Sequence, residues 1–126
     1  MTPRIESLYV RLWIEDGIIC AEYALDLDVD MAIAREAVET RLKFANGKVY
    51  PLIADIRGFR SITKDAREYF SNEGARDLSA AAIITGNPIT RTIAEIFMAF
   101  NKPLIPTRLF GDRKEAKDWL KQYVKQ

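Results

Sequence analysis

Residues 49–66 read VYPLIADIRGFRSITKDA. The aliphatic run at 49–56 gives a buried strand, and Arg57-Gly58-Phe59-Arg60 breaks it as a loop. Ser61 or Thr63 then offers a side-chain oxygen to cap a helix that packs through Ala66, Tyr69 and Phe70. Strand, loop and helix in that order make half of a βαβ unit, and the same grammar recurs downstream. Residues 80–85, AAAIIT, form the most apolar strand candidate. Gly86-Asn87-Pro88 turns this strand into a helix, with Asn87 as cap and proline at the first helical position. In that helix Ile89, Ile93, Ile96, Phe97 and Phe100 share one side, expected to face the core, and Met98 lies opposite. Lys102-Pro103 ends it, and residues 105–110 give the last strand. Asp112 and Glu115 form a capping pair for a final helix whose Ala116, Trp119, Leu120 and Tyr123 face inward.

Upstream, residues 8–15 and 18–25 flank Asp16-Gly17, a dipeptide suited to the positive φ angles of a two-residue hairpin turn. Such a loop fixes the register: Ile14 opposite Ile19, Leu12 opposite Ala21, Val10 opposite Tyr23 and Leu8 opposite Leu25, on an apolar face expected to meet the core. The other face is mixed, with Arg11 across from Glu22. Asp30 caps a helix over about residues 31–46, where Ala34, Val38, Leu42 and Ala45 recur at helical spacing, and Gly47 stops it. The order is ββαβαβα. Strands alternating with helices imply parallel pairing through right-handed crossovers, and the hairpin adds an antiparallel piece, so the fold class is α/β with a mixed sheet.

Size and composition bound the rest. A chain of 126 residues, 48% apolar, buries one core, and residues 1–126 read as a single domain. With 19 basic and 18 acidic residues the net charge is +1, which offers no broad cationic surface for nucleic acid. The longest apolar runs are strand-sized, far short of the roughly 20 residues that span a bilayer. One cysteine, Cys20, forbids an internal disulfide, and the N-terminus lacks an apolar signal core, so the cytoplasm is the expected address.

The motif in Leu52-Ile53-Ala54-Asp55-Ile56, with its short glycine-containing loop and helix, resembles the STAS or SpoIIAA-like fold. More specifically, Asn101-Lys102-Pro103-Leu104-Ile105-Pro106-Thr107-Arg108-Leu109-Phe110, followed by Glu115-Ala116 and Trp119-Leu120, is similar to bacterial proteins of uncharacterised function grouped with STAS/SEC14-like domains. The likeness covers the chain from about residue 49 onward. It implies a SpoIIAA-like sheet and a binding or regulatory role. One departure stands out. In the anti-sigma-factor antagonists of the STAS family, the helix after the third strand opens with an aspartate and a phosphorylatable serine, inside a pattern like D-L-S-G-V-x-x-I-D-S-S-G. Laid beside it, this chain has Thr63 at the aspartate and Lys64 at the serine. The usual phosphoacceptor is missing, and Ser61 and Thr63 read first as helix-capping hydroxyls.

The chain has no histidine, which removes Ser-His-Asp and Cys-His catalysis and histidine-containing zinc sites. Asp26-Leu27-Asp28-Val29-Asp30 superficially suggests a calcium loop, but Met31 stands where glycine is needed and Ala37 where the bidentate glutamate would be. It reads as a strand exit and helix cap. No metal, no cofactor and no enzymatic reaction is expected. Ligands of parallel sheets sit beyond the carboxyl ends of the strands. Those ends bring Asp55, Arg57 and Arg60 from one loop, and Gly86, Asn87, Thr90 and Arg91 from the next, beside two helix N-termini. A small anionic or amphipathic ligand, lipid- or nucleotide-like, is one expected partner there. The other expectation is a protein-interaction surface for a partner or a second copy, through Tyr9, Trp13, Ile18 and Cys20 on the hairpin's mixed face and Met98 on its helix. Protein interaction is the preferred function and ligand binding the alternative.

Overall fold

The computed structural model describes residues 4–125. Its centre is a six-stranded mixed sheet in the order β1-β2-β3-β5-β7-β8. The strands are β1 (Arg4–Glu6), β2 (Val10–Glu15), β3 (Ile18–Tyr23), β5 (Tyr50–Asp55), β7 (Leu78–Ile84) and β8 (Thr107–Phe110). The first three pair antiparallel and the last four parallel. The Asp16-Gly17 turn has positive φ at both residues, 53° and 78°, and the hairpin register is the expected one from Val10 opposite Tyr23 to Glu15 opposite Ile18. The row stops there, however. Leu8 and Leu25 do not pair and are exposed, because the chain turns away at Ser7 and Ala24, which bond to Val10 and Tyr9 respectively.

Four helices cover the sheet. Helices α1 (Met31–Ala45), α2 (Lys64–Ser71) and α3 (Pro88–Ile96) lie on one face, and α4 (Arg113–Leu120) lies on the other. Each begins with the capping residue that the sequence supplies: Asp30, Thr63, Asn87 and Asp112 accept from Ile33, Ala66, Thr90 and Glu115. Beneath α1 lie Val10, Leu12, Ile19 and Ala21. Under α2 and α3 lie Ile56 and Ile83, packed with Ala66 and Ala94. On the opposite face α4 seats Ala116 and Leu120 on Ile18, Cys20, Ile53, Ala80, Ala82 and Ile84. Small side chains at Ala80, Ala82 and Ala116, all 0% exposed, let that helix approach closely.

The structure adds three short strands that the sequence pattern does not show. One is β1. The others, β4 (Leu27–Val29) and β6 (Phe59–Ile62), form a separate parallel ribbon with Leu27 opposite Phe59 and Val29 opposite Ile62. The segment read as a strand exit is therefore β4, and the loop read at 57–60 runs into β6. Residues Phe97–Asn101 continue α3 as a π-helical turn, which ends at Lys102 in the left-handed region with φ 43°. This wider turn rotates the last residues out of register with α3. Phe100, expected to face the core, is 78% exposed, and Met98, expected opposite, is half-buried; within α3 itself Ile93 and Ala94 take the inner side and leave Ile89 and Ile96, also expected inside, exposed at 59% and 37%.

Polar contacts tie α4 to the hairpin. Lys117 Nζ donates to Glu15 Oε2 at 2.6 Å and to Asp16 Oδ2 at 2.8 Å, and the Trp13 indole N–H donates to Glu15 Oε1 at 3.1 Å. These bonds, led by Lys117, hold the Glu15 carboxyl below its ordinary value of 4.5. A carboxyl more acidic when folded contributes stability that is fully present above pH 4.5 and is lost as pH falls through the lower folded-state value. Lys117→Met should therefore flatten the dependence of melting temperature on pH below 4.5, relative to wild type. Parallel acid profiles for the two proteins would show that this contact is energetically silent.

Candidate functional site

The loop cluster expected at the strand ends divides in two. Side chains alternate along a strand, so Asp55 shares the α4 face with Ile53. It is 4% exposed, yet already satisfied. Arg57 of the same loop donates from Nε to both carboxylate oxygens, at 3.0 and 3.2 Å, and from Nη2 to Oδ2 at 2.6 Å, while its backbone N–H donates to Oδ1 at 3.1 Å. That hydrogen bonding, chiefly from Asp55, raises the Arg57 guanidinium above its ordinary value. The Arg57 stem lies over Gly86, where an added Cβ would stand 2.7 Å from Cδ. This contact closes the gap between the two loops. Arg60 goes elsewhere: it pairs with Asp28 across the β4–β6 ribbon, where Ser61 Oγ also donates to Asp28 at 2.8 Å.

The helix starts are likewise occupied by their own chain. Thr90 N donates to Asn87 Oδ1 at 2.9 Å, and the N–H groups of Gly86 and Asn87 donate to the fully buried Thr90 Oγ1 at 3.1 and 3.3 Å. At α2, Ala66 N donates to Thr63 Oγ1 and to Asp65 Oδ1, so an acidic side chain already sits at that positive end. Arg91 is exposed. The six residues Asp55, Arg57, Arg60, Asn87, Thr90 and Arg91 thus form an ion pair, a cross-ribbon pair, a capping box and an exposed cation rather than one converging site.

The hairpin's mixed face is covered where its apolar residues stand. Ile18 and Cys20, each 1% exposed, are core under α4, so neither offers an interaction surface. Burial pushes the Cys20 thiol up to about 11. Trp13 is half-buried, with the Arg113 guanidinium 4.8 Å and that of Arg4 5.9 Å from its ring centroid. Tyr9 is half-buried against the α2 and α3 side of the core. Helix α4 uses the face that the sequence pattern leaves open.

On the opposite side of the sheet lies a feature that the motifs do not announce. Between β5 and β7, the inner faces of α2 and α3, and the segment after the π-turn, a half-open apolar pocket has a cavity volume of about 100 Å³. Leu52 and Ala54 of β5 and Ile56 just after it, with Ala81 and Ile83 of β7, make the floor. Phe70, Ala94, Phe97 and Pro103 stand in the walls. Among the described residues lining it, Tyr23, Arg67 and Thr107 carry the polar side chains. Burial pushes the Tyr23 phenol up to about 12, so it stays protonated as a potential donor. Arg67 on α2 reaches across to the π-turn and donates from Nη1 to Asn101 Oδ1 at 3.2 Å. The sequence signal was the alanine run: Ala80 and Ala82 serve the close approach of α4, whereas Ala81, between them and on the other face, leaves space. Ala75 and Ala94 leave more of it.

No described helix is long and apolar enough to cross a membrane, and among the described residues no group of His, Cys, Asp and Glu could hold a metal ion. A family model described as "Domain of unknown function (DUF7793)" matches residues 12–124. No curated protein matches the chain. Among solved structures it is similar to an uncharacterized protein from the DUF3478 family with a SpoIIAA-like fold from Shewanella loihica PV-4, at 12% identity and a TM-score of 0.57, covering 95% of this chain and 92% of that one. The likeness is one of fold, and the chain has the SpoIIAA-like fold that its sequence resembles.

Proposed function

Since the chain belongs to the DUF7793 family of SpoIIAA-like fold, we propose that it is a non-enzymatic cytoplasmic module that binds a small apolar or amphipathic molecule in the cavity between the sheet and helices α2 and α3. The observation that carries this reading is the cavity itself. Interiors pack to crystal-like density, and voids that could hold more than a water are few. A concave, predominantly apolar space with a few polar groups is the usual form of a small-molecule site. Nothing in its wall pairs a nucleophile with a base, which favours binding over chemistry. The site lies on the sheet face opposite Asp55 and Arg57, so the ligand-binding reading is kept while its location moves.

The test uses a neutral apolar fluorophore, N-phenyl-1-naphthylamine, whose emission rises in a dry environment. Saturable one-to-one enhancement is expected with the wild type and its loss with Ala81→Phe, which fills the floor, while the circular dichroism spectrum is retained. Absence of enhancement in the wild type, or equal enhancement in the variant, would remove the reading.

A second reading, a protein-interaction module, is favoured by the exposure of Phe100 and Leu104, 78% and 74%, close in sequence to the cavity-lining Phe97, Pro103 and Ile105. There Phe100→Lys with Leu104→Lys should abolish any self-association seen by sedimentation; an unchanged profile counts against it.

A further inference from the structure

We propose that the cavity's ligand is a single-chain amphiphile with a carboxylate head, and that Arg67 is the residue that holds this head; the inference rests on the cavity being a binding site. Arg67 is the ionised side chain among the described residues that line the cavity. Its partner is the neutral side-chain amide of Asn101, at 3.2 Å, rather than a carboxylate. The chain's other guanidinium groups near the strand ends are differently placed, since Arg57 is matched by Asp55 and Arg60 by Asp28. Arg67 is half-buried between α2 and the π-turn, where a charge is partly desolvated and gains from a counter-ion. A guanidinium meets a carboxylate through parallel N–H donors, so a carboxylate competes well with the single bond to an amide oxygen. One guanidinium also suits a monoanion, whereas a phosphate head would bring more charge than the wall can match.

The rest of the lining fits the tail. Phe97, Ile93, Ile83 and Leu52, which line the same cavity as Arg67, are all apolar. Each methylene of a linear alkyl chain is stabilised by leaving water for such a surface, so head and tail both find a match in the wall. Asn101 closes the π-helical turn, and π-turns are frequent where a helix adapts at a functional site. The Arg67–Asn101 hydrogen bond joins α2 to the π-turn. On binding, the carboxylate takes the place of the amide.

Calorimetry with dodecanoate and dodecan-1-ol, two probes of one chain length below their aggregation concentrations, separates the inference from the reading beneath it. The wild type is expected to bind dodecanoate about tenfold or more tighter than the alcohol, the range for a charge-assisted hydrogen bond. Arg67→Gln should erase that preference and leave affinity for the alcohol unchanged. If both probes bind the wild type equally, the cavity is a binding site but Arg67 is not its head group, and the inference falls alone. If neither binds, the reading and the inference fall together. Should Arg67→Gln prove misfolded, the wild type still decides: the preference must fade as pH drops through the fatty acid's own pKa, and a preference that persists on protonation contradicts a carboxylate site.

Discussion

Gly58→Ala should cost about 3 kcal/mol or more of stability, the upper range for forced overpacking. A Cβ built on Gly58 would stand 2.1 Å from the Ala24 carbonyl oxygen and 2.9 Å from Leu25 Cα. Both are backbone atoms, and neither segment, one just after β3 and one just before β6, can yield cheaply. Leu27 N donates to Gly58 O at 2.9 Å, Phe59 N to Ile56 O at 2.9 Å, and Ala24 N to Tyr9 O at 2.9 Å. Relief would have to separate the β4–β6 ribbon from the end of β3 and break several of these bonds. Urea denaturation compares the variant with Gly111→Ala, where nothing lies within 4 Å of the added Cβ. The control should differ little from wild type, and a similarly mild Gly58→Ala would mean that the ribbon is not fixed at that contact.

Leu120→Ala is expected to destabilise by about 2–5 kcal/mol, the cost of deleting a buried leucine and leaving part of its cavity behind. Leu120 is 0% exposed and, with Ala116, anchors α4 on the sheet. Its loss weakens the one helix on that face, so local opening should come before global unfolding. Cys20 reports on this directly. In the wild type its thiol is 1% exposed, and burial raises its pKa to about 11, both of which suppress reaction. In Leu120→Ala, labelling of Cys20 by a thiol reagent under native conditions should accelerate far more than the change in global stability requires. Labelling that tracks global unfolding alone would show that α4 and the sheet open as one unit.

What the sequence made legible follows from how local each signal is. The hairpin was readable because Asp16-Gly17 sets its own turn and thereby its register, and the helix starts were readable because Asp30, Asn87 and Asp112 act within three residues of themselves. Strands β4 and β6 were not, since three- and four-residue segments exist only through pairing between residues about thirty apart. Phe100 points outward because regular helical spacing does not extend to it: a π-turn begins at Phe97. The expected site failed for a related reason. Arg57, Arg60 and Thr90 were placed together by topology, but each finds a partner within its own loop or ribbon. The cavity is legible only afterwards, as volume that alanines decline to fill.

The hairpin also bears on how the chain is made. Its contacts are local, so β2 and β3 can join within microseconds of emerging from a ribosome, whereas parallel pairing must wait for distant segments. Residues 50–55 are needed before the open edge of β3 is paired, and residues 113–120 before Ile18 and Cys20 are covered. The earliest element to form is thus the last to be sheltered, its apolar face and the Ile18 and Cys20 of its mixed face uncovered through much of translation. Nascent chains halted before α4 should be the species most in need of chaperones.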